Sequence, residues 1–367
     1  MPRFHGAPTT STRIEFVASE PLDLVNAMYF TYLADSHEGV EGWPAQVRRD
    51  MRPKLLAELD FLFGFPSDAG IMGAVNDSLF AHRETWTGLD ALLRYVREMP
   101  AGVGELPHRP GIQGLFLHTL RWLGGKHQVQ LELGPEPRET LAQAVASAGL
   151  SVDEVLARYD RPEEIRERIL ALIERFYDEH YREDLPRRFP CLERSVAAHR
   201  NQPVGDVEEL TQSLCHRPIM CVAEQPGAYT QHIFVPSLDI GPWTSCADTP
   251  PIHGLYYPCE GRFIGPDAEE AEEIQRLARI HKALSDEQRL RILRLLHDGE
   301  LYAQQIVERT GLDQSVVSRH LGFMRAVGLV IGRRQSNMKF FSLNPAMREE
   351  LGRTLDLFLA PARTQGQ

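Results

Sequence analysis

A chain of 367 residues with 43% hydrophobic and 25% charged side chains is long enough for two or three domains with real cores, and its ordinary composition excludes a fibrous or wholly disordered protein. No apolar run approaches the ~20 residues a bilayer-spanning helix needs, and the start Met1-Pro-Arg-Phe-His-Gly-Ala-Pro lacks the charged and apolar regions of a signal peptide, so the cytoplasm is the expected location. The net charge of −11 is unevenly spread: residues 276–345 hold 12 Lys/Arg against 6 Asp/Glu, while residues 1–275 hold 25 against 42. Positive charge gathered on one short stretch is the footprint of a surface for polyanions.

Residues 1–12 read as a frayed tail. Arg13–Ala18 alternates like a short strand. Helical periodicity then dominates: Pro21–Ala34, opened by Ser19; Pro44–Phe63, bent at Pro53; and Leu89–Arg97. Phe63–Gly73, rich in glycine, reads as a loop, as does Glu98–Pro110. Helices resume at Ile112–Leu123, Glu139–Ala148 and Pro162–Glu183, the last with Ile165, Ile169, Leu172, Ile173 and Phe176 at helical spacing. After Pro190 the texture changes. Ile219–Ala223, Gln231–Val235 and His253–Tyr257 look like strands, with Glu224–Ala228 as a hairpin connection, so about 200–262 should form a small sheet.

The C-terminal part is the most specific. Ala268–Leu284 reads as a helix with Leu277, Ile280 and Leu284 in a stripe. Asp286–His297 follows, with Ser285 as its cap and Leu290, Leu293 and Leu296 as apolar residues. Tyr302–Thr310, ended by Gly311, precedes Gln314–Val327, which Asp313 can cap and Gly328 terminates. Val317, Leu321 and Met324 are spaced to face a core, which turns Ser315, Ser318, Arg319 and Gly322 outward, with Gln314 at the tip. Gln pairs with adenine, Arg with guanine, and serines reach bases or phosphates, so this arc suits DNA reading. The next segment, Gly328–Leu343, reads as a basic two-stranded hairpin with Arg333, Arg334 and Lys339 near its tip. A helix-turn-helix followed by such a wing is a device for the major groove.

Lys282-Ala-Leu-Ser-Asp-Glu-Gln-Arg-Leu-Arg-Ile-Leu-Arg-Leu-Leu, Gly299-Glu-Leu, Gln314-Ser-Val-Val-Ser-Arg-His-Leu and Ala326-Val-Gly-Leu-Val together resemble the ArsR-type (arsenical-resistance repressor) winged-helix family over about 275–345. The resemblance implies a homodimeric repressor that binds inverted repeats and releases DNA when an effector binds. It implies a dimer interface from the first and last helices, here about 268–284 and Pro345–Leu359, where Leu351, Leu355 and Leu359 form a seam.

The chain departs from the family's metal sensors. Tyr302-Ala303-Gln304-Gln305 stands where many members carry a cysteine pair, and no cysteine follows Cys259 or histidine follows His320. Five cysteines, an odd number, argue against a disulfide framework. Upstream, Cys215, His216 and Cys221 lie close in sequence, with His232, Cys246, His253 and Cys259 beyond, but their gaps are irregular for zinc. No phosphate loop, dinucleotide fingerprint, nucleophile elbow or zinc-protease motif is found, so neither catalytic residues nor a cofactor are expected. The aromatics Tyr29, Phe30, Tyr32, Phe61, Phe63, Phe65, Trp86, Phe116 and Trp122 suit either core packing or a pocket for a small organic effector.

The sequence therefore leads to a mainly α fold with small β parts: a tail (1–12), a mainly helical domain (13–199), a small β-containing region (200–264), a winged helix-turn-helix (265–360) and a tail (361–367). The expected function is sequence-specific binding of double-stranded DNA as a homodimeric repressor, through Gln314, Ser315, Ser318, Arg319, His320, Arg333, Arg334 and Lys339, with an N-terminal domain that senses an effector or supports dimerisation. The alternatives are a winged helix that docks a protein, and a metal- or thiol-responsive regulator using Cys215 and Cys221.

Overall fold

The computed structural model describes residues 13–66, 70–106, 108–127, 137–200, 207–215, 229–259, 268–335, 338–347 and 352. It divides into two compact units, one of residues 1–203 and 225–260, the other of residues 204–224 and 261–367. No described helix is long and apolar enough to cross a membrane.

The first unit is a helical body built around a small sheet. Strand β1 (Arg13–Phe16) pairs in parallel with β4 (Gln231–Ser237), which pairs in parallel with β6 (Ile252–Pro258); β5 (Ser245–Thr249) closes the order β1-β4-β6-β5 as an antiparallel edge, and β2 (Gly104–Glu105) and β3 (Arg109–Pro110) form a separate antiparallel pair. Because β1 is supplied from the far N-terminus, the sheet belongs to the helical unit and is not the separate region that the change of texture at 200 suggests. Strands β4 and β6 are buried almost throughout, which is why they read as continuous apolar runs without alternation.

Helix α1 (Glu20–Leu33) begins where Ser19 accepts a hydrogen bond from the Leu22 amide. Eleven of its fourteen residues are buried, including Asp23, Asn26 and Thr31. The expected bent helix 44–63 is two helices, α2 (Trp43–Asp50) and α3 (Pro53–Gly64), because Arg52, before proline, is extended. The glycine-rich stretch read as a loop contains α4 (Gly70–Leu79), whose Ile71, Met72, Val75 and Leu79 are fully buried. A helix covered on every side shows no amphipathic period, so its signal was lost. Gly70 has φ +55°, and a Cβ there would lie 2.4 Å from the Leu62 carbonyl oxygen.

The helix starting at Pro162 ends as an α-helix at Phe176 and passes into a π turn at Tyr177–Tyr181. The next helix, Leu185–His199, runs through Pro190, and the helix Val207–Cys215, where sheet was expected, falls in the second unit. The proposed strand Ile219–Ala223 and its hairpin connection lie outside the described residues. Phe30, Phe63 and Phe116 are buried in the core, and the Tyr29 and Tyr32 rings contact Phe63.

Two polar clusters lie within this unit. Arg188, 5% exposed, spans Asp23 and Asp239; the Tyr181 hydroxyl donates to Asp23 at 2.7 Å, and the Trp43 ring lies 4.6 Å from the guanidinium. Burial raises the Asp23 carboxyl pKa, the Asp239 charge adds to that, and Arg188 opposes it. His232 and His253 face each other in register on β4 and β6, with their Nδ1 atoms 3.3 Å apart and the Tyr229 ring beside them.

In the second unit, four helices and a three-stranded sheet form a winged helix-turn-helix. The first helix is Ala268–Leu284 and the second Glu287–His297. Asp286, not Ser285, caps the second helix by accepting from the Arg289 amide at 3.0 Å. The positioning helix is Ala303–Thr310 and the recognition helix Gln314–Ala326. Strand β7 (Leu301–Tyr302), absent from the sequence reading, pairs with β9 (Met338–Leu343), which pairs with β8 (Val330–Gln335). Leu277, Ile280, Ala283, Ile292, Leu296, Ile306, Val317, Leu321, Phe323, Met324 and Phe341 are buried here. Leu290, grouped with the apolar residues above, is 47% exposed, while its neighbour Arg289 is buried over the Phe323 ring. The seam Leu351, Leu355 and Leu359 lies outside the described residues.

Candidate nucleic-acid interface

The orientation of the recognition helix follows from its apolar side. Val317, Leu321 and Met324 are at most 2% exposed, which fixes Gln314, Ser315, Ser318 and Arg319 on the exposed side. The turn before it requires Gly311: its φ of +70° ends the positioning helix, and its amide donates to the Val307 carbonyl at 2.9 Å. Tyr302 begins that helix, its amide donating to the Gln305 side chain at 3.1 Å. Asp313 occupies the N-cap position of the recognition helix in extended conformation, but its side chain makes no capping bond. Gly328, φ +81°, ends the helix, and the Leu329 amide returns to the Met324 carbonyl at 2.9 Å.

Arg319 is exposed on the edge of this arc. Among the described residues its side chain takes part in no hydrogen bond or ion pair, so it is available to an incoming base edge without breaking an internal contact. His320, which the sequence allows either to contact phosphate or to pack at the helix flank, packs against a neighbouring helix. It is 6% exposed, and its Nε2 lies 2.9 Å from the Gln288 side-chain oxygen. A helix residue next to the core-facing Leu321 is carried into the interhelical seam, where its ring pins the recognition helix to the second helix.

The wing carries the three remaining cations on one hairpin. Arg333 is held by Glu300: its Nε donates to Oε1 at 2.7 Å, and Nη2 donates to Oε2. Its guanidinium also lies 4.9 Å from the centre of the Phe340 ring. The Glu300 hydrogen bonds raise the Arg333 pKa. Arg334 and Lys339 are register partners across the hairpin, and Lys339 is exposed with its Nζ 5.7 Å from the Phe341 ring. Glu300 and Gln288 were missed by sequence reasoning. Glu300 was visible only as part of the Gly-Glu-Leu motif, and nothing in the pattern shows that β7 would place it beside the wing.

No described cluster of three or more His, Cys, Asp or Glu has the arrangement of a metal site. Cys215 is buried in its helix, while His216 and Cys221, the other residues of that proposed cluster, lie outside the described residues.

Residues 286–331 match the family described as bacterial regulatory protein, arsR family. The transcriptional activator HlyU of Vibrio cholerae is 40% identical over 63 residues, a span of 17% of this chain and 58% of HlyU. The regulator CmtR of Mycobacterium tuberculosis is 36% identical over 85 residues, 23% of this chain and 72% of CmtR. Among solved structures, the homodimeric winged helix-turn-helix DNA-binding domain of Mb0332 from Mycobacterium bovis aligns at 29% identity, covering 26% of this chain and 86% of that one, with a TM-score of 0.23. By its winged helix-turn-helix, this chain belongs to the ArsR family of bacterial regulatory proteins.

Proposed function

We propose that this protein is a homodimeric transcriptional repressor that binds an inverted-repeat operator in double-stranded DNA. The observation that carries the reading is the split character of the recognition helix: a buried Val317/Leu321/Met324 side and an exposed Gln314/Ser315/Ser318/Arg319 side. Gln314, Ser315, Ser318 and Arg319 read base edges in the major groove, and Arg333, Arg334 and Lys339 meet backbone or minor groove. His320 supports the helix from behind. The concentration of positive charge in residues 276–345 supports the same reading, because most of the affinity of a DNA-binding module comes from phosphate neutralisation. The N-terminal unit senses a small organic effector or supports dimerisation; its aromatic-rich helical body suits either role.

The test is binding of the purified full chain to labelled duplexes over a range of salt, with dimer state measured by light scattering. The reading requires affinity that falls steeply with salt and a dimer that engages two half-sites about 34 Å apart. A winged helix that docks a protein partner would instead show weak DNA affinity with little salt dependence.

A further inference from the structure

We propose that Glu300 is an electrostatic brake on the wing: by neutralising Arg333 it limits the sequence-independent attraction of the protein to DNA phosphate. The inference rests on the DNA-binding reading above. Residues 330–343 contain two arginines and a lysine and no Asp or Glu. The carboxylate beside them comes from outside the hairpin. Strand β7 pairs with β9 at Leu301↔Phe341 and Tyr302↔Phe340, and this pairing sets Glu300, one residue earlier, against the wing. There it takes two donors of the Arg333 guanidinium side-on.

Glu300 is not needed to aim the side chain. Arg333 and Phe340 are register partners, the guanidinium rests over the Phe340 ring, and the Tyr302 ring braces Phe340 edge-on at 6.0 Å. An aromatic platform therefore already fixes the arginine. What the carboxylate adds is charge. A phosphate oxygen brought to Arg333 is also brought beside an anion 2.7 Å from that guanidinium. Because each phosphate neutralised contributes to affinity through counterion release whatever the sequence, cancelling one wing cation trims that shared contribution and leaves the base-reading arc untouched.

The experiment measures affinity for a non-operator duplex at several salt concentrations for the wild-type chain, Glu300→Gln, Arg333→Gln and the double variant, with melting curves to verify folding. Glu300→Gln should bind ~3- to 10-fold more tightly near physiological salt, with a log–log salt slope steeper by ~0.9 per protomer. In the Arg333→Gln background the same change should gain less than half as much, because the brake acts through Arg333. Equal gains in both backgrounds would overturn the proposal, since Glu300 would then act as a remote charge. Unchanged or weaker binding by folded Glu300→Gln would also overturn it, making Glu300 a support of the wing. If the wild-type chain binds no duplex at any salt, it is the DNA-binding reading that fails, and this inference with it.

Discussion

Replacing Arg319 with alanine isolates the central interaction of the recognition helix. Arg319 is exposed and takes part in no hydrogen bond or ion pair among the described residues, so the substitution leaves no buried partner behind. Folding stability should stay within about 0.5 kcal/mol of the parent. The binding cost is that of one bidentate guanidinium–guanine contact per half-site, about 1–3 kcal/mol, or roughly 5- to 150-fold. No internal bond has to be exchanged for it, so little of the gain is offset. Fluorescence anisotropy with an operator duplex and a scrambled duplex of equal length separates the effects. A large loss on the operator and a small loss on the scrambled duplex is expected. Equal losses on both would make Arg319 a phosphate contact, and no loss on either would mean that this helix face points away from DNA.

Other substitutions probe the remaining parts. Lys339→Ala should weaken binding to all duplexes about evenly and make the log–log salt slope shallower by ~0.9 per protomer, read by the same anisotropy titrations. Arg188→Leu leaves Asp23 and Asp239 buried without their shared cation and should cost the first unit about 3–5 kcal/mol in denaturant unfolding; a loss under 1 kcal/mol would mean that the network is solvated. Burial and the neighbouring His253 charge lower the His232 pKa to about 4 from 6.5. The unfolded chain therefore binds that proton more tightly, and stability present above pH 6.5 should fall by about 3 kcal/mol as pH drops towards 4. Melting temperatures across this window should show the decline, and His232→Gln should flatten it.

How much of this was legible in the sequence depends on where each residue's partners lie. In the winged helix they are close: helix ends fall within a residue or two of the positions that Gly311, Asp313 and Gly328 suggest, and the exposed arc follows from the spacing of Val317, Leu321 and Met324. His320 could not be placed by spacing alone, because its partner Gln288 lies on another helix. The first unit is dominated by distant partners. Asp23 meets Arg188 across 165 residues, and β1 meets β4 across more than two hundred, so neither the ion network nor the sheet's membership left a local trace. Helix α4 hid for a different reason: its glycines imitate a loop, and its complete burial erases the alternation of polar and apolar faces that marks a surface helix.

The most direct test of the central claim is selection of genomic DNA fragments by the purified full chain at near-physiological salt. Enrichment of a single inverted repeat, with half-sites one helical turn apart and lost on Arg319→Ala, is the predicted result. Recovery of no sequence above background, together with a duplex affinity that does not change with salt, would contradict the account and turn the winged helix into a surface for a protein partner.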